Sequence, residues 1–198
     1  KDPYESLDVA LLAPSGEYLF GTDAVGRDVF SRVVYGARQS LLGALIAVIV
    51  GLVLGTLIGL IAGTQRGWVD TVLMRLVDVL LAIPGILLSL SIIIVTGFGS
   101  LQAAFAVGMT SVATFARLAR SQVIQIAGAD YVEAAYGSGA TQAQVLLRHV
   151  LPNSLTPVLA LAALQFGTAI LQLSILGFLG YCLLYTSDAA DEEDRVDL

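Results

Sequence analysis

Three long stretches without a single charge dominate this chain: residues 39–65, 79–116 and 150–187. A soluble domain is about a quarter charged. Here 57% of residues are hydrophobic and only 13% charged, which places the chain in the membrane class. A bilayer crossing takes about 20 apolar residues. The first stretch holds one crossing. The second is too long for one and is cut by the turn signal GFGS at 97–100, so it reads as two. The third holds at least one. Four spans are expected, near 40–63, 73–96, 101–122 and 154–178.

The net charge of −6 belongs to one end of the chain. Six acids, Asp188, Asp191, Glu192, Glu193, Asp194 and Asp197, stand with Arg195 in residues 182–198. The rest is nearly neutral, so the acidity implies no cationic partner. The lone cysteine, Cys182, excludes an internal disulfide and says nothing of compartment. Arg75 and Arg66 flank the first inter-helix loop, and Arg117, Arg120 and Arg148 lie around the third. The turn at 97–102 has no charge. The positive-inside rule then puts 64–75 and 117–153 in the cytoplasm and 97–102 outside.

Within the second cytoplasmic stretch, EAAYGSGATQAQVLLRHVLPN (133–153) carries a local folding code. Asp130 and Glu133 have capping-box spacing, predicting a short helix to about Ser138 that Gly137 and Gly139 stop. Thr141 with Gln144 repeats the box and starts a second helix. Its apolar face would be Ala143, Leu146, Leu147 and Val150, at i, i+3, i+4 and i+7. Leu151-Pro152 should end it. Residues 153–156 then offer a cap, and Pro157 suits the first turn of the next span. From the residues alone, this is equally a coupling knob or a cytoplasmic loop that happens to be helical.

Glu133-Ala134-Ala135, Gly139 and then Leu151-Pro152 resemble the EAA signature of ABC-importer permeases. In that family the motif forms coupling helices that dock on the ATP-hydrolysing subunit. His149 stands where the family usually has Ile. A second stretch, GTDAVGRDVFSRVVYGARQSL (21–41), resembles the segment before the second membrane helix of dipeptide, oligopeptide and nickel permeases, in particular their C-type subunit. Physically, Thr22 or Asp23 is expected to begin a helix. Asp28 and Arg32 would form an i,i+4 pair, and Val29, Phe30, Val33 and Ala37 an apolar stripe leading into the membrane.

The resemblance covers about 18–180. It implies an all-α, polytopic transmembrane helix bundle of the ABC importer type I permease fold, with four or five of six membrane helices present. The expected organisation is an external or interfacial segment (1–39), a transmembrane domain (40–180) with cytoplasmic coupling helices at 130–153, and a non-native tail (181–198). That tail, YCLLYTSDAADEEDRVDL, resembles translated adapter sequence, and the family would instead continue into another helix. Implied partners are ATP-binding subunits, a homologous second permease, an extracytoplasmic substrate-binding protein and the bilayer, in a bacterial inner membrane. No cofactor, metal or nucleic acid is expected.

Other features concern packing and path. Gly51, Gly55, Gly59 and Gly63 recur every fourth residue, the spacing that lets membrane helices approach closely. Pro84 is expected to kink the second span. Gln165, Thr168 and Gln172 lie at i, i+3 and i+7, and serve either pore lining or interhelical hydrogen bonding. The only lysine is Lys1, so no G-x-x-x-x-G-K-[ST] phosphate loop exists, and no catalytic residue is expected. A proton-coupled secondary transporter, with Asp70 and Asp78 as relay acids near Arg75 and Arg66, is the alternative.

Overall fold

The structure, a computed structural model, describes residues 9–65 and 67–180. Arg66, Cys182 and the acidic tail lie outside the described residues. The chain divides into two units, Lys1–Leu42 and Gly43–Leu198.

In the first unit, Asp28 rather than Thr22 or Asp23 starts the helix. Its Oδ1 accepts the Phe30 N–H at 3.2 Å and its Oδ2 the Ser31 hydroxyl at 2.6 Å, capping α1 (Val29–Gln65). The expected Asp28–Arg32 side-chain pair gives way to Arg32 reaching back to Asp23. Thr22 is buried; its hydroxyl donates to the Val9 carbonyl and accepts from Leu12 N–H. An antiparallel bridge joins Thr22 and Asp28. Side-chain oxygens, together with backbone hydrogen bonds and an edge-to-face Phe20–Phe30 contact at 5.4 Å, tie this segment together.

The described part of the second unit is built of helices joined by short turns: the remainder of α1, then α2 (Gly67–Ala82), α3 (Gly85–Thr96), α4 (Ser100–Ala127), α5 (Asp130–Gly137), α6 (Gln142–Val145) and α7 (Leu151–Phe178). Central to it is α4, whose buried residues are mostly Ala, Val and Gly and which packs on α2, α3 and α7. The glycine spacing in α1 has a structural reason. A Cβ on Gly55 would lie 2.5 Å from Phe115 Cβ and 2.6 Å from the Val112 carbonyl, and one on Gly59 2.4 Å from the Ala116 carbonyl. Conversely, a Cβ on Gly108 of α4 would lie 2.7 Å from the Ala47 carbonyl. Backbone meets backbone along this seam, and dispersion contacts take the place of a hydrophobic drive that lipid cannot supply. Ala44, Ala47, Ile93, Ala106, Val107, Phe115, Val158, Leu173 and Leu176 fill the main core.

Three helices among the described residues are long and apolar enough to cross a membrane: Val29–Gln65, Ser100–Ala127 and Gln142–Phe178. The span expected at 73–96 is not one helix. Its halves, α2 and α3, meet at Pro84 with a bend of 96°, far beyond a kink. Pro84 lacks the N–H that would continue the ladder and sits as the N-cap of α3.

Leu151-Pro152 does not end a helix either. Residues Leu146–Val150 form a π-turn, in which the Leu151 N–H bonds the Leu146 carbonyl, and the chain continues into α7 with Pro152 in its first turn. The widened turn gives the proline ring room and tolerates its missing donor. Pro157 consequently falls inside α7 rather than at its start. Asn153 donates its side-chain N–H to the His149 carbonyl at 2.6 Å instead of capping a new helix.

Candidate functional site

The element between α4 and α7 is built on four valines. Val123 of α4, Val132 of α5, Val145 of α6 and Val150 of the π-turn are all nearly inaccessible to solvent. Leu60, Ile126, Ala135, Ala140 and Leu146 pack around them. The expected face was displaced. Leu147 is 62% exposed and Ala143 is exposed, whereas Val145 is buried. A π-turn places residues i and i+5 on one side, so Val145 and Val150 share the inward face and Leu147 turns outward.

Capping differs between the two short helices. Ala129, with no side-chain cap, precedes α5, and Asp130 and Glu133 sit within its first turn. The expected Asp130–Glu133 capping box is therefore not formed; the helix begins one residue too early for Asp130 to be the cap. Both acids nonetheless stand at the positive end of the helix dipole. At α6 the reciprocal box is present. Thr141 accepts from the Gln144 N–H, and the Gln144 side chain accepts from the Thr141 N–H at 2.9 Å.

Gly139 stops α5 with φ +87°. The Gly139 N–H bonds the Tyr136 carbonyl at 2.9 Å and the Ala140 N–H bonds the Ala135 carbonyl at 3.1 Å, the two bonds of a Schellman ending. Ala135 and Ala140 close it from within, against the valine core. Glu133 and Ala134 are exposed on the outer side, as are Tyr131, Tyr136 and Leu147. Tyr131 lies 6.3 Å from the His149 ring. The motif residues Glu133, Ala134, Ala135 and Gly139 thus share one short helix and its stop. Leu151 and Pro152 lie beyond the π-turn, with Leu151 half-buried and Pro152 exposed.

Two charge contacts escaped the sequence reading. Asp70 of α2 pairs with Arg120 of α4, and Asp78 pairs with Arg117 at 2.8 Å. The order reverses between helices, as an antiparallel crossing requires. Sequence proximity pairs both acids with Arg66 and Arg75; the register of Asp70 and Asp78 against Arg117 and Arg120 is the signal that finds the observed partners. Neither is an isolated acid of the kind a proton relay needs.

Of the polar residues on α7, Gln165 and Gln172 are half-buried and Thr168 is exposed. The Thr168 hydroxyl bonds the Leu164 carbonyl of its own helix at 3.3 Å. Gln172 reaches α3, its Nε2 lying 3.6 Å from where a Cβ on Gly85 would stand. The three residues thus differ in burial, and only Gln172 comes close to another helix at Gly85.

Residues 55–185 match the model of the family described as binding-protein-dependent transport system inner membrane component. The chain belongs to this family. The dipeptide transport system permease protein DppC of Alkalihalophilus pseudofirmus is 44% identical over 170 residues, covering 86% of this chain and 56% of that protein. The glutathione transport system permease protein GsiD of Escherichia coli O157:H7 is 41% identical over 167 residues, covering 84% and 55%. The chain thus spans little more than half the length of these relatives. Among solved structures, an inward-facing MetNI methionine ABC transporter superposes with a TM-score of 0.67 at 20% identity, covering 76% of this chain and 75% of that one. An amino acid ABC transporter gives 0.58 at 20% identity, covering 83% of each. This inner membrane component accordingly has the all-α, multi-span fold of an ABC importer permease.

Proposed function

We propose that the chain forms the translocation pathway of an ATP-driven importer of peptides, or of nickel chelates, and couples to ATP-binding subunits through residues 130–153. The relatives named as dipeptide and glutathione permeases support the peptide branch. The observation that carries the coupling role is the valine-cored element itself. It holds Glu133, Tyr131, Tyr136 and Leu147 outward on a rigid base, as a docking surface needs. In this reading the element lies in the cytoplasm, closure of two ATP-binding subunits moves it, and α4 and α7 carry the motion into the spans. The chain supplies no ATPase site of its own. A second permease and an external substrate-binding protein complete the assembly. Glu133, Ala134, Ala135, Gly139, Leu151 and Pro152 are the coupling residues.

Glu133→Lys and Gly139→Leu, made in the full-length protein, test this. Glu133→Lys adds an unfavourable dipole interaction of only about 0.3–1 kcal/mol to an exposed helix start, so the element should persist. Both variants are expected to insert normally yet lose co-purification of the ATP-binding subunits and substrate uptake. Wild-type levels of both in correctly inserted protein would reduce the element to a loop.

A further inference from the structure

The elbow between α2 and α3 presents a physical problem. Within the bilayer, non-helical backbone is tolerated only where protein buries it or where it lines water. Here Pro84 has no N–H to give the Leu80 carbonyl, and α3 begins without a side-chain cap. Yet Ala82 and Pro84 are exposed, and Ile83 is 40% exposed. The break lies inside the 79–116 stretch that has no charge. Side chains from two other helices meet it: a Cβ on Gly85 would stand 3.6 Å from Gln172 Nε2 and 3.9 Å from Thr110 Cβ, while the Thr110 hydroxyl donates to the Val107 carbonyl at 2.7 Å and keeps its acceptor lone pairs. Thr110 is ten residues into α4, about 15 Å along a helix axis and so near the middle of a hydrocarbon core about 30 Å thick. Lipid on this face would leave broken backbone unsatisfied at the depth where that is most costly.

We propose that residues 82–85, with Thr110 and Gln172, form a wall of the water-filled translocation pathway. Its uncharged amide, hydroxyl and backbone groups suit transient hydrogen bonding to the amide groups of a peptide rather than capture of a charged group. The inference rests on the importer reading above and deepens it.

Thiol labelling of the full-length protein assembled with its partner subunits tests it, in a background with every other cysteine replaced by serine. Ile83→Cys and Gly85→Cys are the probes; the space beside Gly85 accepts a small side chain. Val53→Cys is the lipid control. It lies midway along the charge-free part of α1, two residues past Gly51 and hence on the opposite face from the seam. A charged, membrane-impermeant methanethiosulfonate should label both probes roughly tenfold faster than Val53→Cys, because the reacting thiolate is suppressed in apolar surroundings. A transported dipeptide should slow that labelling. As a separate measurement, Thr110→Val with Gln172→Leu should cut uptake several-fold while ATP-binding subunits still co-purify. Probes no more reactive than Val53→Cys, or unchanged uptake in the double variant, would overturn the proposal. Uptake by the unaltered assembly that ignores ATP would instead sink the importer reading.

Discussion

Two glycine-punctuated segments, 9–28 and 130–150, are held together by opposite means. In the first, carboxylate and hydroxyl oxygens are the centre. Asp23 accepts from the Val25 and Arg27 N–H groups, each at 2.9 Å, and from the Arg27 side chain at 3.1 Å. In the second, four buried valines are the centre, and most hydrogen bonds are those of helix ends. A polar centre responds to protonation; an apolar one responds to volume and to any buried charge. The element proposed to transmit force has the centre that pH leaves alone.

The contrast breaks most visibly at Val145, which is fully buried. Val145→Asp would place a carboxylate among apolar side chains, a change worth several kcal/mol. The element should unfold locally while the membrane helices stay inserted. The checks are protease cleavage between α4 and α7 and lost co-purification of ATP-binding subunits. Val145→Ala should lose about 1.5–3 kcal/mol and give a partial version of the same effect. Indifference to Val145→Asp would mean that the valines do not hold the element.

Glycine sharpens the comparison. Gly21 and Gly139 both have positive φ, +74° and +87°, yet their surroundings differ. A Cβ on Gly21 would stand 2.2 Å from the Leu12 carbonyl, whereas one on Gly139 would meet nothing within 4 Å. Gly139→Ala should therefore lose only the left-handed backbone term, about 1–2 kcal/mol. Gly21→Ala should lose more, since the Leu12 carbonyl must also leave its bond with the Thr22 N–H. Hydrogen exchange around each glycine reads the difference; equal effects would remove steric closeness as the distinguishing factor.

Acid should separate the segments next. Asp23 is held down to about 2 from 3.8, chiefly by the Arg27 N–H and also by the Val25 N–H and the Arg27 guanidinium. A carboxyl lowered on folding contributes stability that is complete above its unfolded value and lost as pH falls through the folded one. The first segment should thus lose about 2 kcal/mol between roughly pH 4 and 2. Asp23→Asn should remove this contribution. Hydrogen exchange in residues 9–28 should change more across this range in the wild type than in the Asn variant.

The legibility of these parts in the sequence follows the range of their causes. The charge-free stretches and the four-residue glycine spacing are read within one helix, and three of the four expected spans and a close backbone contact at those glycines followed from them. The Thr141–Gln144 box and the Gly139 stop are set by neighbours three to five residues away, and both formed. The π-turn is different. It arises where Pro152 must be fitted into a helix that tertiary packing continues, so a local rule ended the helix and put Leu147 inside. The Asp70–Arg120 and Asp78–Arg117 pairs depend on how α2 crosses α4, and the 96° bend at Pro84 depends on what α3 packs against. Periodicity along one segment carries none of that.

The smallest effect tests the correction at α5. Sequence spacing makes Asp130 a cap with Glu133 as its partner; the structure gives that role to no side chain and puts Asp130 inside the first turn. Thr141, by contrast, is a working cap for α6. Thr141→Ala should therefore lose about 1 kcal/mol, typical of a removed Ser/Thr cap. Asp130→Ala should lose only the weaker attraction of an exposed carboxylate to the helix N-terminus, about 0.3–1 kcal/mol and less in high salt. Local exchange rates in the two helices, measured at low and high salt, separate these cases. The Asp130 effect should fade with salt, because it is a charge–dipole interaction, and the Thr141 effect should not, because it is a neutral hydrogen bond. A salt-independent loss at Asp130 as large as that at Thr141 would restore the capping box and move the start of α5 by one residue.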